Sequence, residues 1–201
     1  MDRATSTKGR IKVGRIVVTE FVSLDGVMED PGGAEGYEHG GWSFQVSRGD
    51  EGDKFKLDEL LEAEAQLLGR VTYQGFAKAW PSIADEHGFA EKMNSMPKYV
   101  VSSTLTDPEW QNTTVLSGDV AGEVSKLKQE VDGNILVAGS AQLVQAMIEN
   151  DLVDELRLMV YPVVLGSGKR LFGKTSDKKT LRLADSKVVG DGVQILVYES
   201  A

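Results

Sequence analysis

The stretch Leu67-Leu68-Gly69-Arg70-Val71-Thr72-Tyr73 decides how the rest of the chain is interpreted. An apolar run ends in Gly69-Arg70, and a segment with helical character begins at once, which is typical of a buried strand turning into a helix. The free N–H groups and the positive dipole end of such a helix start favour anions such as phosphate. Arg70 adds a permanent positive charge and a planar set of hydrogen-bond donors. The alternative for Arg70 is an ion pair with one of the many carboxylates of this acidic chain. Thr72 adds a hydroxyl group. The stretch therefore predicts a phosphate-binding turn.

A second stretch repeats this design. It reads Ile135-Leu136-Val137-Ala138-Gly139-Ser140-Ala141-Gln142, again an apolar strand, small residues and a helix start. Two such turns in one sheet predict binding sites for the two ends of a dinucleotide.

The composition limits the functions open to the chain. A length of 201 residues suits one domain, which we place at 14–201, after a polar tail over 1–13 that we expect to be disordered or appended. A net charge of −9 argues against nucleic-acid and anionic-membrane partners. With no Cys and only two His, the chain offers neither disulfides nor the usual zinc ligands, and we expect no metal and a cytoplasmic location.

Strands and helices alternate along the first three quarters of the chain, which predicts a mostly parallel sheet flanked by helices. The predicted strands of this part are Gly14 to Val22, Ala65 to Leu68, Tyr99 to Val101, Thr113 to Leu116 and Ile135 to Ala138. The predicted helices are Asp53 to Glu64, Thr72 to Trp80, Phe89 to Met96, Val120 to Val131 and Ala141 to Glu149. After these, we predict antiparallel strands along one edge, at Glu155 to Val160, Leu181 to Ala184, Lys187 to Val189 and Val193 to Tyr198. The predicted class is therefore α/β with a mixed sheet.

A long glycine-rich, acidic segment from Glu29 to Gly52 interrupts this order. Such segments in a compact domain are often functional loops. Trp42 lies within it, so we expect either a loop that covers a ligand or a surface excursion that Trp42 anchors.

Five motifs in this order resemble the dihydrofolate reductase superfamily, in the branch related to the reductase domain of riboflavin biosynthesis enzymes. They are Ser23-Leu24-Asp25-Gly26, Gly69-Arg70-Val71-Thr72-Tyr73, Val100-Val101-Ser102-Ser103, Val137-Ala138-Gly139-Ser140 and Tyr161-Pro162-Val163-Val164-Leu165-Gly166-Ser167-Gly168. The resemblance covers about Gly14 to Glu199. It implies a dihydrofolate reductase-like fold with NADPH lying across the carboxyl ends of the strands.

The resemblance also implies which residues contact this cofactor. They are Leu24, Gly26, Gly69, Arg70, Val71, Thr72, Ser102, Ser103, Thr104, Gly139, Ser140, Ala141, Gln142, Leu143, Leu165 and Gly166. Arg70 with its flanking hydroxyl groups suits the 2′-phosphate of NADPH. Ser102 and Ser103 have a structural alternative, since they also end a strand.

Hydride transfer to a carbonyl-type carbon or an imine requires a proton source, and two carboxylates are candidates. Asp25 follows the first strand, with a turn-stabilising Asp as the alternative. Asp53 begins the helix before Gly69, with an N-cap as the alternative. Trp42 and Tyr161 are candidate substrate contacts, with core packing as the alternative for each.

The sequence thus predicts an NADPH-dependent reductase acting on a small heterocyclic or carbonyl-type molecule, and the resemblance implies a homodimer. One alternative is a nucleotide-binding module without turnover. Another is true dihydrofolate reduction, although a glycine-rich loop stands where those enzymes carry a Pro-Trp pair. A flavin-type cofactor is a further alternative.

Overall fold

The computed structural model describes residues 13–201, so the predicted tail lies outside it except for Val13. The strands are β1 (Arg15–Ser23), β2 (Ala63–Gly69), β3 (Lys98–Val101), β4 (Thr113–Leu116), β5 (Asn134–Ala138), β6 (Glu155–Tyr161), β7 (Leu181–Val189) and β8 (Val193–Ser200). The α-helices are α1 (Gly49–Leu61), α2 (Arg70–Ala79), α3 (Phe89–Ser95), α4 (Val120–Glu130) and α5 (Ala141–Glu149).

Within this range the eight strands form one sheet in the order β4-β3-β2-β5-β1-β6-β8-β7. The first six in this order run parallel to their neighbours, and β8 and β7 complete the sheet with antiparallel pairings. The predicted mixed α/β sheet is therefore confirmed.

Helices cover both faces of the parallel part of the sheet. On one face α4 and α5 pack against β1 and β5, and residues such as Val124 and Met147 are fully buried there. On the other face α1, α2 and α3 contribute Leu60, Tyr73 and Met93 to a second apolar cluster. Since both faces of β1 are covered, its continuous apolar pattern is explained.

Strand β6 differs from its prediction, which placed it among the antiparallel edge strands. It lies inside the sheet, parallel to β1 and antiparallel to β8. Its alternating sequence arises because Arg157 is a mostly buried ion-pair partner of Glu155, rather than because one face is exposed to solvent.

Most element bounds differ from the predictions by one or two residues, and two differences are larger. Helix α1 begins at Gly49 rather than Asp53, and Asp50 and Glu51 lie in its first turn, where acidic side chains are favourable. The two predicted strands at 181–184 and 187–189 form the single strand β7, with a register shift between Leu183 and Asp185. Asp119 is the N-cap of α4, since its carboxylate accepts a hydrogen bond from the Gly122 N–H.

Between residues 13 and 201, none of the helices combines the length and the apolar character that crossing a membrane requires.

Candidate functional site

The segments that hold the predicted site residues meet at one edge of the sheet. Strands β3, β2, β5, β1 and β6 are consecutive neighbours and all run parallel. The carboxyl ends of these strands therefore lie side by side. The residues that follow them are 102–104, 69–72, 139–143, 24–26 and 162–166 in the same order.

The turns after β2 and β5 are joined directly. The Gly69 N–H donates to Ser140 Oγ at 2.9 Å, and the Ser140 N–H donates to Thr72 Oγ1 at 2.9 Å. Gly139 and Ser140 both have left-handed backbone conformations, with φ of 60° and 61°. Such a conformation is unfavourable for serine and marks a backbone that its surroundings hold in place. We call residues 69–72 together with 139–143 the double turn.

Two helices begin in the double turn. The capping residues Gly69 of α2 and Ser140 of α5 make no side-chain hydrogen bond to their first helical turns. The first N–H groups of an α-helix have no partner within the helix, so those of Arg70–Thr72 and Ala141–Leu143 can serve a ligand. The double turn therefore suits an anionic group. The N–H of Gly69, one of the predicted cofactor contacts, already donates to Ser140 Oγ.

Arg70 lies at the start of α2 with an exposed guanidinium group. Its Nη1 donates to Gln74 Oε1 at 2.9 Å, which orients the side chain along the helix. Among the ion pairs of residues 13–201, none involves Arg70. The guanidinium group can thus bind a phosphate without first breaking an ion pair with a carboxylate.

Ser102 stabilises the turn after β3. Its Oγ accepts hydrogen bonds from the N–H groups of Thr104 at 3.1 Å and Leu105 at 3.0 Å. These contacts favour the strand-end role that sequence left open for Ser102. Ser103 and Thr104 are exposed beside the double turn.

Asp25 links the turn after β1 to the segment after β6. Its carboxylate accepts hydrogen bonds from the Leu165 N–H at 3.1 Å, the Gly166 N–H at 2.9 Å and the Ser23 hydroxyl at 2.7 Å. Arg170 also donates to the Asp25 carbonyl oxygen. The Ser23 hydroxyl group and the two amides lower the pKa of Asp25 to about 2. This environment favours the structural alternative over the proton-donor role predicted from sequence.

Asp53 is not an N-cap, which corrects that alternative, because α1 begins four residues earlier. Its side chain is 63% exposed and pairs with Arg48 Nε at 2.6 Å. Asp53 therefore takes part in a surface ion pair.

Trp42 anchors the glycine-rich loop. Its side chain is 1% exposed, its Nε1 donates to the Glu29 carbonyl oxygen at 2.8 Å, and its ring packs edge-on against Tyr161. These contacts favour the core alternatives for Trp42 and Tyr161. An open depression of about 580 Å³ lies beside them, lined by Glu38, His39, Gly40, Trp42, Gln45, Val163, Val164 and Leu165.

Sequence reasoning missed a buried polar cluster between β1 and α1. Glu59 accepts hydrogen bonds from Thr19 and pairs with Lys56, and Lys56 also donates to Thr19 Oγ1 at 2.8 Å. Glu20 points to the double turn, where its Oε2 accepts the Gly139 N–H at 3.0 Å. The available signal was Glu20 itself, a charged residue in the middle of a mostly apolar strand.

The fold is an α/β domain in which the double turn lies at the carboxyl edge of the sheet, and comparison with known proteins assigns its family. The RibD C-terminal domain family model matches residues 15–195, and the chain belongs to this family. Two uncharacterized proteins of Bacillus subtilis are similar to the chain. YyaP is 29% identical over 94% of this chain and 96% of its own. YwjB is 30% identical over 87% of this chain and 91% of its own.

A solved structure shares the fold. A protein of Shewanella sp. PV-4 assigned to riboflavin biosynthesis superimposes with a TM-score of 0.74 and 20% identity, over 93% of this chain and 99% of that chain. The dihydrofolate reductase-like fold and the riboflavin-reductase branch predicted from sequence are confirmed.

Proposed function

We propose that this protein is an NADPH-dependent reductase that transfers a hydride to a small heterocyclic or carbonyl-type substrate. The observation that carries the proposal is the double turn. It brings two helix starts and the unpaired Arg70 to neighbouring parallel strands, beside the segments after β1 and β6. Membership of the RibD C-terminal domain family supports a reductase over an unrelated nucleotide-binding function.

Different residues at this edge of the sheet bind different parts of the dinucleotide. The first turns of α2 and α5 bind the phosphates, Arg70 binds the 2′-phosphate, and the exposed Ser103 and Thr104 lie beside the adenosine end. Leu24 and Gly26 after β1, with Leu165 and Gly166 after β6, border the nicotinamide, and Asp25 fixes these two segments to each other. When bound, the reduced nicotinamide supplies the hydride, and the protein supplies geometry and electrostatics.

The substrate binds in the depression beside Trp42. Its lining combines the polar side chains of Glu38, His39 and Gln45 with apolar groups of the segment 163–165, which also borders the nicotinamide position. A mixed lining of this kind suits a small molecule with both ring and polar atoms.

Calorimetric titration with NADPH and NADH tests the cofactor assignment. We expect NADPH to bind more tightly than NADH, and Arg70→Ala to lose about 1–3 kcal/mol of NADPH binding with little change for NADH, since NADH has no 2′-phosphate. Arg182→Ala is the matched control, because Arg182 is an exposed arginine on β7. Absence of binding of either nucleotide would overturn the proposal.

One observation favours a second candidate, a nucleotide-binding module without turnover. Neither Asp25 nor Asp53 is placed as a proton donor in the structure, because one is locked in hydrogen bonds and the other is exposed. Substrate-dependent oxidation of NADPH in a screen of small carbonyl compounds and heterocyclic imines separates the two. Tight NADPH binding without oxidation by any of them would favour the module.

A further inference from the structure

Glu20 occupies an unusual position for a carboxyl group. It is the first residue of β1 beyond the end of β5, since the last pair between these strands is Thr19 with Ala138. Its side chain is buried, with 5% exposure, and its Oε2 accepts the Gly139 N–H at 3.0 Å. Its Oε1 has no hydrogen-bond partner among residues 13–201. A buried carboxyl oxygen without a partner is costly when the group is charged.

Among residues 13–201, the charged side chains that act on Glu20 lie on α1. Lys56 and Glu59 act on it with opposite signs, and the Lys56 amino group is already engaged with Thr19 and Glu59. The neighbouring β6 residue is the apolar Leu158, and the residue that donates to Glu20 from the double turn is the uncharged Gly139. Burial raises the pKa of Glu20 well above its ordinary value, although the Gly139 N–H and Lys56 oppose this effect.

The bond to Gly139 places this carboxyl group directly behind the anion-binding edge. Gly139 precedes Ser140, the capping residue of α5, so an anion on the first turn of α5 lies close to Glu20. An ionised Glu20 carboxylate repels such an anion, whereas a neutral carboxyl group does not and still accepts the Gly139 N–H. The ionised and neutral forms of Glu20 therefore differ in their compatibility with an anionic ligand.

We propose that Glu20 is a positioning residue for the pyrophosphate of the dinucleotide. Where the Glu20 carboxyl group is ionised in the free protein, it takes up one proton when the dinucleotide binds. The inference rests on the proposed function, since it takes the double turn as the pyrophosphate site. Glu20 acts through Gly139, whose N–H it holds in the orientation that the left-handed turn requires. The affinity for the dinucleotide then falls as the pH rises through the pKa of Glu20.

Calorimetric titration from pH 6 to 9, in two buffers of different protonation enthalpy, counts the protons taken up on binding. NADPH and NADH are both used, because the 2′-phosphate of NADPH titrates near pH 6 and NADH lacks this group. For the wild-type protein we expect proton uptake with both nucleotides, and up to roughly a tenfold loss of affinity per pH unit above the pKa of Glu20. Glu20→Gln, which retains an acceptor for Gly139, should bind both without this uptake and with a flat pH profile.

Two further variants complete the test. Glu91→Gln, an exposed acid on α3, should behave as the wild type. Glu20→Leu removes both the acid and the acceptor, so it should bind more weakly than Glu20→Gln, without proton uptake and with a flat pH profile. This flat profile, set against that of the wild type, serves as the test if Glu20→Gln does not fold. Two results would overturn the inference about Glu20 but leave the proposed function standing. One is equal proton uptake in the wild type and the Glu20 variants, and the other is pH-independent binding by the wild type. Failure of the wild type to bind either nucleotide at any pH would overturn the proposed function as well.

Discussion

Single side chains at the strand ends hold distant segments together. Asp25 joins the turn after β1 to a segment 140 residues later through two backbone amides, and Ser140 joins the two halves of the double turn. The sequence motifs identified these residues, but not their partners, because a hydrogen bond across the sheet leaves no pattern in the local sequence. Glu20 shows the same limit, since only the strand order places it beside Gly139.

We expect Asp25→Ala to destabilise the protein by about 1–3 kcal/mol at neutral pH, because it leaves the Leu165 and Gly166 amides without their charged acceptor. Chemical denaturation measures this effect. Asp53→Ala is the control and should change the free energy of unfolding by less than about 1 kcal/mol, because its ion pair is exposed. Equal effects of the two substitutions would contradict the linking role of Asp25.

The hydrogen bonds of the Asp25 carboxylate also predict how the stability of the folded protein depends on pH. The pKa of Asp25 is lowered from 3.8 to about 2 in the folded protein, so its stabilising contribution is present above about pH 4 and is lost as the pH falls towards 2. Thermal unfolding between pH 2 and 5 should therefore show the difference between wild type and Asp25→Ala shrinking with acid. A constant difference over this range would contradict the assignment.

At the scale of elements, the two strand–turn–helix units were the most predictable part of the chain. Helix α5 begins and ends where the sequence predicts, and β2 and β5 are direct neighbours, as a dinucleotide site requires. Strand β6 was misplaced because its pattern cannot distinguish solvent exposure from a buried ion pair at Arg157. The start of α1 was missed because Gly49 and Gly52 are weak helix formers that tertiary packing overrides.

Two substitutions of Ser140 test whether the left-handed backbone of the double turn is strained. Ser140→Ala and Ser140→Gly both remove the hydroxyl group that accepts the Gly69 N–H. Glycine tolerates a φ of 61° and alanine does not, so Ser140→Ala should be less stable than Ser140→Gly by about 1 kcal/mol. Denaturant unfolding of both variants measures the difference, and an Ala variant as stable as the Gly variant would contradict the strain.

At the scale of the whole molecule, the predicted homodimer stays a prediction. The apolar stretch from Leu156 to Leu165 is not a free interface over its β6 part, because β6 lies inside the sheet and is largely buried. The edge strand β7 is exposed over nearly its full length and carries Leu181, Leu183 and Val188. An exposed edge strand that carries apolar side chains among its charged ones can associate with a second copy.

We therefore expect light scattering to show a dimer, and Leu183→Glu to shift it towards the monomer by placing a charge on β7. Ile83→Glu is the control, since Ile83 is similarly exposed but follows α2, away from β7. A monomeric wild type at all concentrations would contradict the homodimer, and equal dissociation by both variants would contradict the β7 interface.

The central claim is that the double turn holds the phosphates of a dinucleotide, and the crystal structure of the complex with NADPH tests it most directly. We predict phosphate oxygens within hydrogen-bond distance of first-turn N–H groups of both α2 and α5, with the Arg70 guanidinium on the 2′-phosphate. A nucleotide bound elsewhere, with both helix starts facing only solvent, would contradict the account.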